Sequence, residues 1–108
     1  MQAFHITNLQ QALRASPDRY QEFLRVPSLS MGLYELAAGS QDPQQPHTED
    51  EIYYVVSGEA VIRVGDEDQS VTAGSVIYVA ANVEHHFHTI TADLSILVMF
   101  APAEYTAA

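Results

Sequence analysis

Between residues 19 and 101 the chain falls into eight short runs rich in β-branched and aromatic residues, and this texture limits the fold more than any other feature. The runs are RYQEFLRV, LSMGLYELA, EIYYVVS, AVIRVG, QSVT, SVIYVA, HHFHTI and LSILVMFA. Turn formers separate them: Pro27-Ser28, the stretch from Gly39 to Pro46, Ser57-Gly58, Gly65-Asp66, Ala73-Gly74, Ala81-Asn82 and Ala92-Asp93. Runs of this length and composition read as strands. With no substantial helix between them they pair antiparallel, because parallel neighbours need long crossovers. The chain is therefore expected to be all-β, a sandwich or barrel.

Only the N-terminus departs from this pattern. Asn8 is placed to cap a short amphipathic helix whose apolar members Leu9, Ala12 and Leu13 share a face, and Ser16-Pro17 ends it. At 108 residues the chain supports one hydrophobic core and one domain. Residues 1–28 are expected to form a helix and strand extension, 29–101 the barrel core, and 102–108 a tail.

Three strands, IYYVV, SVIYV and SILVMF, are apolar on both faces. One face lines an interior; the other needs a second sheet or a partner to cover it, so a homodimer is expected. The chain has no lysine, four arginines and fourteen acids, a formal net charge of -10. Such a surface repels phosphate backbones and anionic lipid, which argues against nucleic-acid and membrane partners. No apolar stretch is long enough to cross a bilayer and the first residues lack a signal-peptide layout, so the expected location is cytoplasmic.

With no cysteine, a metal has only His, Asp and Glu as strong ligands. The stretch QQPHTEDEIYYVVSG places His47 four residues before Glu51. A helix is one way to bring them together, but Ile52 to Val56 are strand formers stopped by Ser57-Gly58. In a straight strand, four residues span about 13 Å, too far for one ion with bonds of about 2.1 Å. If both bind one metal, residues 48–50 must bend. Further along, strand alternation puts His85 and Phe87 on one face, and His86 and His88 on the other. Phe87 marks the apolar side, so His85 is the candidate ligand and His86 and His88 face solvent or an interface. Tyr53 shares parity with Glu51 and points its phenol toward the same interior, as a core residue or as a catalytic group beside the ion. Arg25 and Arg63 are expected in surface ion pairs, His5 to be uninvolved, and Asp66, Glu67 and Asp68 to serve a hairpin turn.

These two separated segments resemble the motifs of the cupin superfamily. The first, G-x5-H-x-H-x3-4-E-x6-G, is matched by Gly39, His47, Glu51 and Gly58, with Gln45 where the first histidine stands. The second, G-x5-P-x-G-x2-H-x3-N, is matched by Gly74 and His85, with Ala-Ala-Asn-Val-Glu before His85 and Thr89 in place of the final Asn. The resemblance covers roughly residues 29–101 and implies a double-stranded β-helix, or jelly-roll, barrel. It implies metal ligands His47, Glu51 and His85, with Gln45 completing or weakening the set, since a carboxamide oxygen is a poorer ligand than imidazole for transition metals.

Two His and one Glu with open positions suit iron, manganese, zinc or nickel. The resemblance thus implies a metal-dependent enzyme of dioxygenase, isomerase or lyase type acting on a small organic molecule, with Glu51 and Tyr53 as the catalytic residues. The alternative, supported by Gln45 and the lack of an obvious second acid-base residue, is a non-catalytic module that binds or senses a small ligand, with or without metal.

Overall fold

A computed structural model describes residues 1–106. The order is α1 (Ile6–Arg14), β1 (Tyr20–Val26), β2 (Leu29–Leu36), β3 (Asp50–Val64), β4 (Glu67–Thr72), β5 (Val76–Val79) and β6 (His85–Ala101). All pairings are antiparallel, and the strands run β1-β2-β6-β3-β4 with β5 also on β3. The all-β expectation therefore holds, with six strands among the described residues where the turn signals suggested eight.

The two fusions explain the architecture. EIYYVVS and AVIRVG form one 15-residue strand, and HHFHTI and LSILVMFA one of 17. Ser57-Gly58 and Ala92-Asp93 are not turns, because the backbone stays paired through them with register shifts between Val55 and Val61. Gly58 has φ 105°, and a Cβ there would lie 2.3 Å from the Asp93 carbonyl oxygen. Only glycine tolerates both the dihedral and the approach. At this bulge the first half of β3 pairs with β5 and the last third of β6, while its second half pairs with β4 and the start of β6. The long strands thus serve two layers.

Between the layers lies a core that includes Leu36, Val55, Ile62, Val71, Val79, Phe87, Leu94, Ile96 and Phe100. Burying each large apolar side chain contributes about 1.5–3 kcal/mol. Helix α1 starts before Asn8: His5 is the N-cap, its ring nitrogen Nδ1 accepting from the Thr7 amide at 3.3 Å. His5 thus has a structural task that sequence reasoning did not give it, and Asn8 lies inside the first turn. Leu13 is buried where α1 meets β1 and β2, but Ala12 is exposed. Polar contacts complete the attachment, with Arg14 bonding both oxygens of Glu35 and Gln10 donating to Ser95. As expected, Arg25 pairs with Glu22 and Arg63 with Asp68.

On the outer sheet face two apolar rows cross four strands in register. One is Met31, Met99, Ile52 and Tyr78; the other is Leu33, Leu97, Tyr54 and Val76. Leu33 is buried, but Tyr54, Val76 and Tyr78 are 44%, 67% and 60% exposed.

Replacing Gly58 by alanine should force the bulge open and cost about 2 kcal/mol or more. Urea unfolding of Gly58→Ala checks this; a midpoint equal to the wild type would mean the bulge relaxes freely.

Candidate metal centre

The segment joining β2 to β3 is irregular, and its anchors come from side chains. Asp42 accepts from the Tyr34 hydroxyl at 2.6 Å, from the Gln44 carboxamide at 2.6 Å and from the Phe87 amide at 2.9 Å. That fixes the loop against β6. The chain then bends at Thr48 and Glu49, the bend that a shared site for His47 and Glu51 requires. The turn before β6 is stapled to the same segment: Asn82 donates its amide to the His47 carbonyl at 2.7 Å, and Ala81 to Asp50 Oδ1 at 2.9 Å. These bonds deliver His85 to His47.

Three side chains converge as a result. His85 Nε2 lies 2.9 Å and His47 Nδ1 3.6 Å from Glu51 Oε1. The ligand atoms of His47, Glu51 and His85 all lie within 4.8 Å of one another. Glu51 and His85 are 2% and 4% exposed. The second nitrogen of each ring is held by an acceptor, which fixes the tautomer. His85 Nδ1 lies 2.9 Å from the Val83 carbonyl, which can only accept, so Nδ1 carries the hydrogen. His47 Nε2 lies 3.0 Å from Glu104 Oε2, so it carries the hydrogen there.

His85 Nε2, His47 Nδ1 and Glu51 Oε1 therefore face one another as lone pairs. All three are buried without a hydrogen-bond partner among the described residues. Lone pairs at such distances repel unless a positive charge lies between them, either a proton on His85 or a cation. One metal with bonds of about 2.0–2.2 Å could be shared by the three once His47 draws in toward Glu51 and His85. The donor set, two imidazoles and a carboxylate, fits iron, manganese, zinc or nickel, and the acceptors behind the imidazoles are of the kind that orients metal-bound histidines.

Burial alone would lower the pKa of His85, but the adjoining Glu51 carboxylate and the Val83 carbonyl favour the charged ring and raise it above its ordinary value. For Tyr53 burial acts with the Glu51 charge, and its phenol is held well above the usual range. The Tyr53 hydroxyl donates to Gln44 Oε1 at 2.7 Å. Gln45, expected as a ligand, lies on the exposed rim of the cavity, while its neighbour Gln44 turns inward. The loop is not extended here, and motif spacing alone does not set which glutamine turns inward. His86 is exposed, and His88 is half-exposed, bonding Asp68 at 2.9 Å. That contact holds the Asp68 carboxyl below its ordinary pKa.

Above the cluster opens a cavity of about 310 Å³ with apolar walls that include Pro43, Pro46, Val98 and Phe100. The segment after β6 closes one side and brings Glu104, which sequence reasoning missed. Buried polar residues pin it: Ser30 accepts from the Glu104 amide at 2.9 Å and Glu49 from the Tyr105 amide at 3.0 Å. Arg25 donates to the Glu104 carbonyl at 2.7 Å. The only hint in the sequence is the acid within Ala103-Glu104-Tyr105, which carries no strand or motif signal. Residues 107 and 108 of the expected tail lie outside the described residues.

Residues 32–100 match the cupin domain family. The chain is a cupin. It is 49% identical over 104 residues to an uncharacterized protein of Streptomyces coelicolor, covering 96% of this chain and 99% of that one. The crystal structure of the TT1209 protein of Thermus thermophilus superposes with a TM-score of 0.75 at 25% identity, over 95% of this chain and 99% of that one. An RmlC-like cupin with a double-stranded β-helix fold from Methanocaldococcus jannaschii gives 0.70 at 20% identity, over 77% and 78%. The jelly-roll expectation is thereby met. Among the described residues no helix of this cupin is long and apolar enough to cross a membrane.

Because its folded pKa is raised, His85 stabilises the metal-free protein fully at pH below the unfolded value of about 6.5, and the contribution is lost as pH rises through the folded value. Nuclear magnetic resonance titration of the metal-free protein should place the His85 midpoint above about 6.5. A midpoint below that would mean that burial outweighs Glu51.

Proposed function

We propose that this cupin is a metal-dependent enzyme that holds one divalent transition metal on His47, Glu51 and His85 and acts on a small organic molecule in the cavity above. The observation that supports the reading is the convergence of three buried, unpartnered lone pairs with both histidine tautomers fixed from behind. When bound, the metal supplies Lewis acidity or oxygen activation, the basis of dioxygenase, isomerase and lyase chemistry alike.

The protein's own residues do the rest. Glu51 offers one oxygen as a ligand and balances charge. Tyr53, catalytic by sequence expectation, acts as a positioning residue, since its hydroxyl is committed to Gln44. Gln44 in turn bonds Asp42, so the floor beside the site is fixed before a ligand arrives. Glu104 is the second carboxylate at the cavity. It orients His47 and is placed to take a proton from a bound molecule. The apolar walls exclude water from the reacting end.

A second reading, a non-catalytic module that stores or senses a small ligand, draws on the rigid Tyr34, Asp42, Gln44 and Tyr53 network, whose hydroxyls are tied to the scaffold. Metal content separates the two. Protein purified without chelator should carry near-stoichiometric metal, and His47→Ala or His85→Ala should abolish it. Glu104→Ala should weaken the metal about tenfold, with partial recovery in Glu104→Gln, which keeps an acceptor for His47. Acidification through the raised His85 range should release the metal, since the proton competes for Nε2. Substoichiometric metal indifferent to these variants would remove the enzymatic reading.

The outer apolar rows support a homodimer as part of the same proposal. They are uncharged in a chain of net charge -10, so two copies meet there with the least repulsion. Sedimentation at micromolar concentration should give a dimer, and Val76→Asp with Tyr78→Asp should yield a folded monomer. A monomeric wild type would count against it.

A further inference from the structure

We propose that Tyr20 is a specificity residue, its hydroxyl donating a hydrogen bond to the carboxylate of a small planar monoanion seated over His47, Glu51 and His85. The proposal rests on the reading of that cluster as a metal site, and adds the class of molecule it takes.

Tyr20 opens β1, outside the residues matched by the family, and faces Tyr34 across the β1-β2 pair. Its ring lies flat on Gly32. A Cβ at Gly32 would come within 2.2 Å of the ring and its hydroxyl, so the pose exists only because that position lacks a side chain. Tyr34 meets the ring edge-on at 6.2 Å, fixing it from the side. The ring is thus a built part of the cavity wall.

Its hydroxyl differs from those of two neighbouring tyrosines. Tyr34 donates to Asp42 and Tyr53 to Gln44, whereas the Tyr20 hydroxyl is buried with no partner among the described residues. Leaving a buried donor unpaired destabilises the protein, and persists where a ligand supplies the acceptor. Burial first, then the charge of Glu104, hold the phenol protonated far above neutral pH, so it stands as a donor.

A neutral donor on the wall and a cation at the floor both recognise oxygen lone pairs. Val98, Phe100, Pro43 and Pro46 suit a carbon body of ring size. Glu104, on the same cavity and close enough to act on the Tyr20 phenol, opposes negative charge there, so a bound cation has to offset the ligand's one charge and a second is disfavoured, which selects a monocarboxylate over a dicarboxylate.

The test uses benzoate as the probe, titrated calorimetrically into zinc-loaded wild type and Tyr20→Phe, with the zinc content of each measured. Phenylalanine keeps the ring on Gly32 and removes only the donor. Benzoate should bind the wild type and bind Tyr20→Phe about tenfold or more weakly, the range for a hydrogen bond to a charged group. Zinc content should not change, and the ligand-free variant should melt at the same temperature or higher because the lost hydroxyl has no partner there; the loss of benzoate affinity is the readout that a purely structural tyrosine would not move. Equal benzoate affinity in the two proteins, or no binding by a fully zinc-loaded wild type, overturns the assignment of Tyr20. Substoichiometric zinc in the wild type overturns the metal reading itself, and the zinc measurement tells the two failures apart.

Discussion

The candidate site depends on the doubling back of one antiparallel ladder. Glu51 sits near one end of β3, and His85 pairs with Val64 at the other end, yet their side chains meet at 2.9 Å. A straight strand of 15 residues spans roughly 50 Å, more than the longest dimension of the molecule, 36 Å. The bulge at Gly58 against Asp93 folds the ladder so that both ends return to the same place. The cluster of His47, Glu51 and His85 is thus a consequence of backbone geometry some distance away. No side chain at Gly58 points at it, but the approach of two backbones there makes it possible.

This also explains what could be read from the sequence. The strand texture, the turn formers and two spaced motifs disclosed the barrel and the inward facing of His47, Glu51 and His85, because alternation and fixed spacing are local properties. Ser57-Gly58 and Ala92-Asp93 read as turns for an equally local reason: glycine and Asp serve bulges as readily as turns, and only the pairing partner tells which. In the irregular loop, the motif's spacing pointed to Gln45, whereas Gln44 is the glutamine that turns toward Tyr53, since spacing alone does not set facing away from a strand. Glu104, Asp42 and Tyr20 were invisible because each reaches the cavity through tertiary contacts, with no spacing to announce them.

Polar groups around the cavity divide into two sets with different costs. Ser30 and Asp42 are satisfied, and they fix the last segment and the β2-β3 loop respectively. Their hydrogen bonds offset the desolvation of the groups they hold. His47, Glu51, His85 and Tyr20 each carry an atom left unpaired. Among the described residues these unpaired groups lie on or just below one cavity, and well-made networks hold that cavity's shape.

The slot at Gly32 separates two properties that are often bound together in small barrels. The ladder and its cluster belong to β3, β6 and the loop before β3; the ring over Gly32 belongs to the β1-β2 hairpin. A substitution at Gly32 reshapes the chamber without altering the three converging side chains, since even one methyl group there would displace the ring. The shape of the chamber can therefore drift over generations of mutation while the three converging side chains stay constant, with the first hairpin as the adjustable wall.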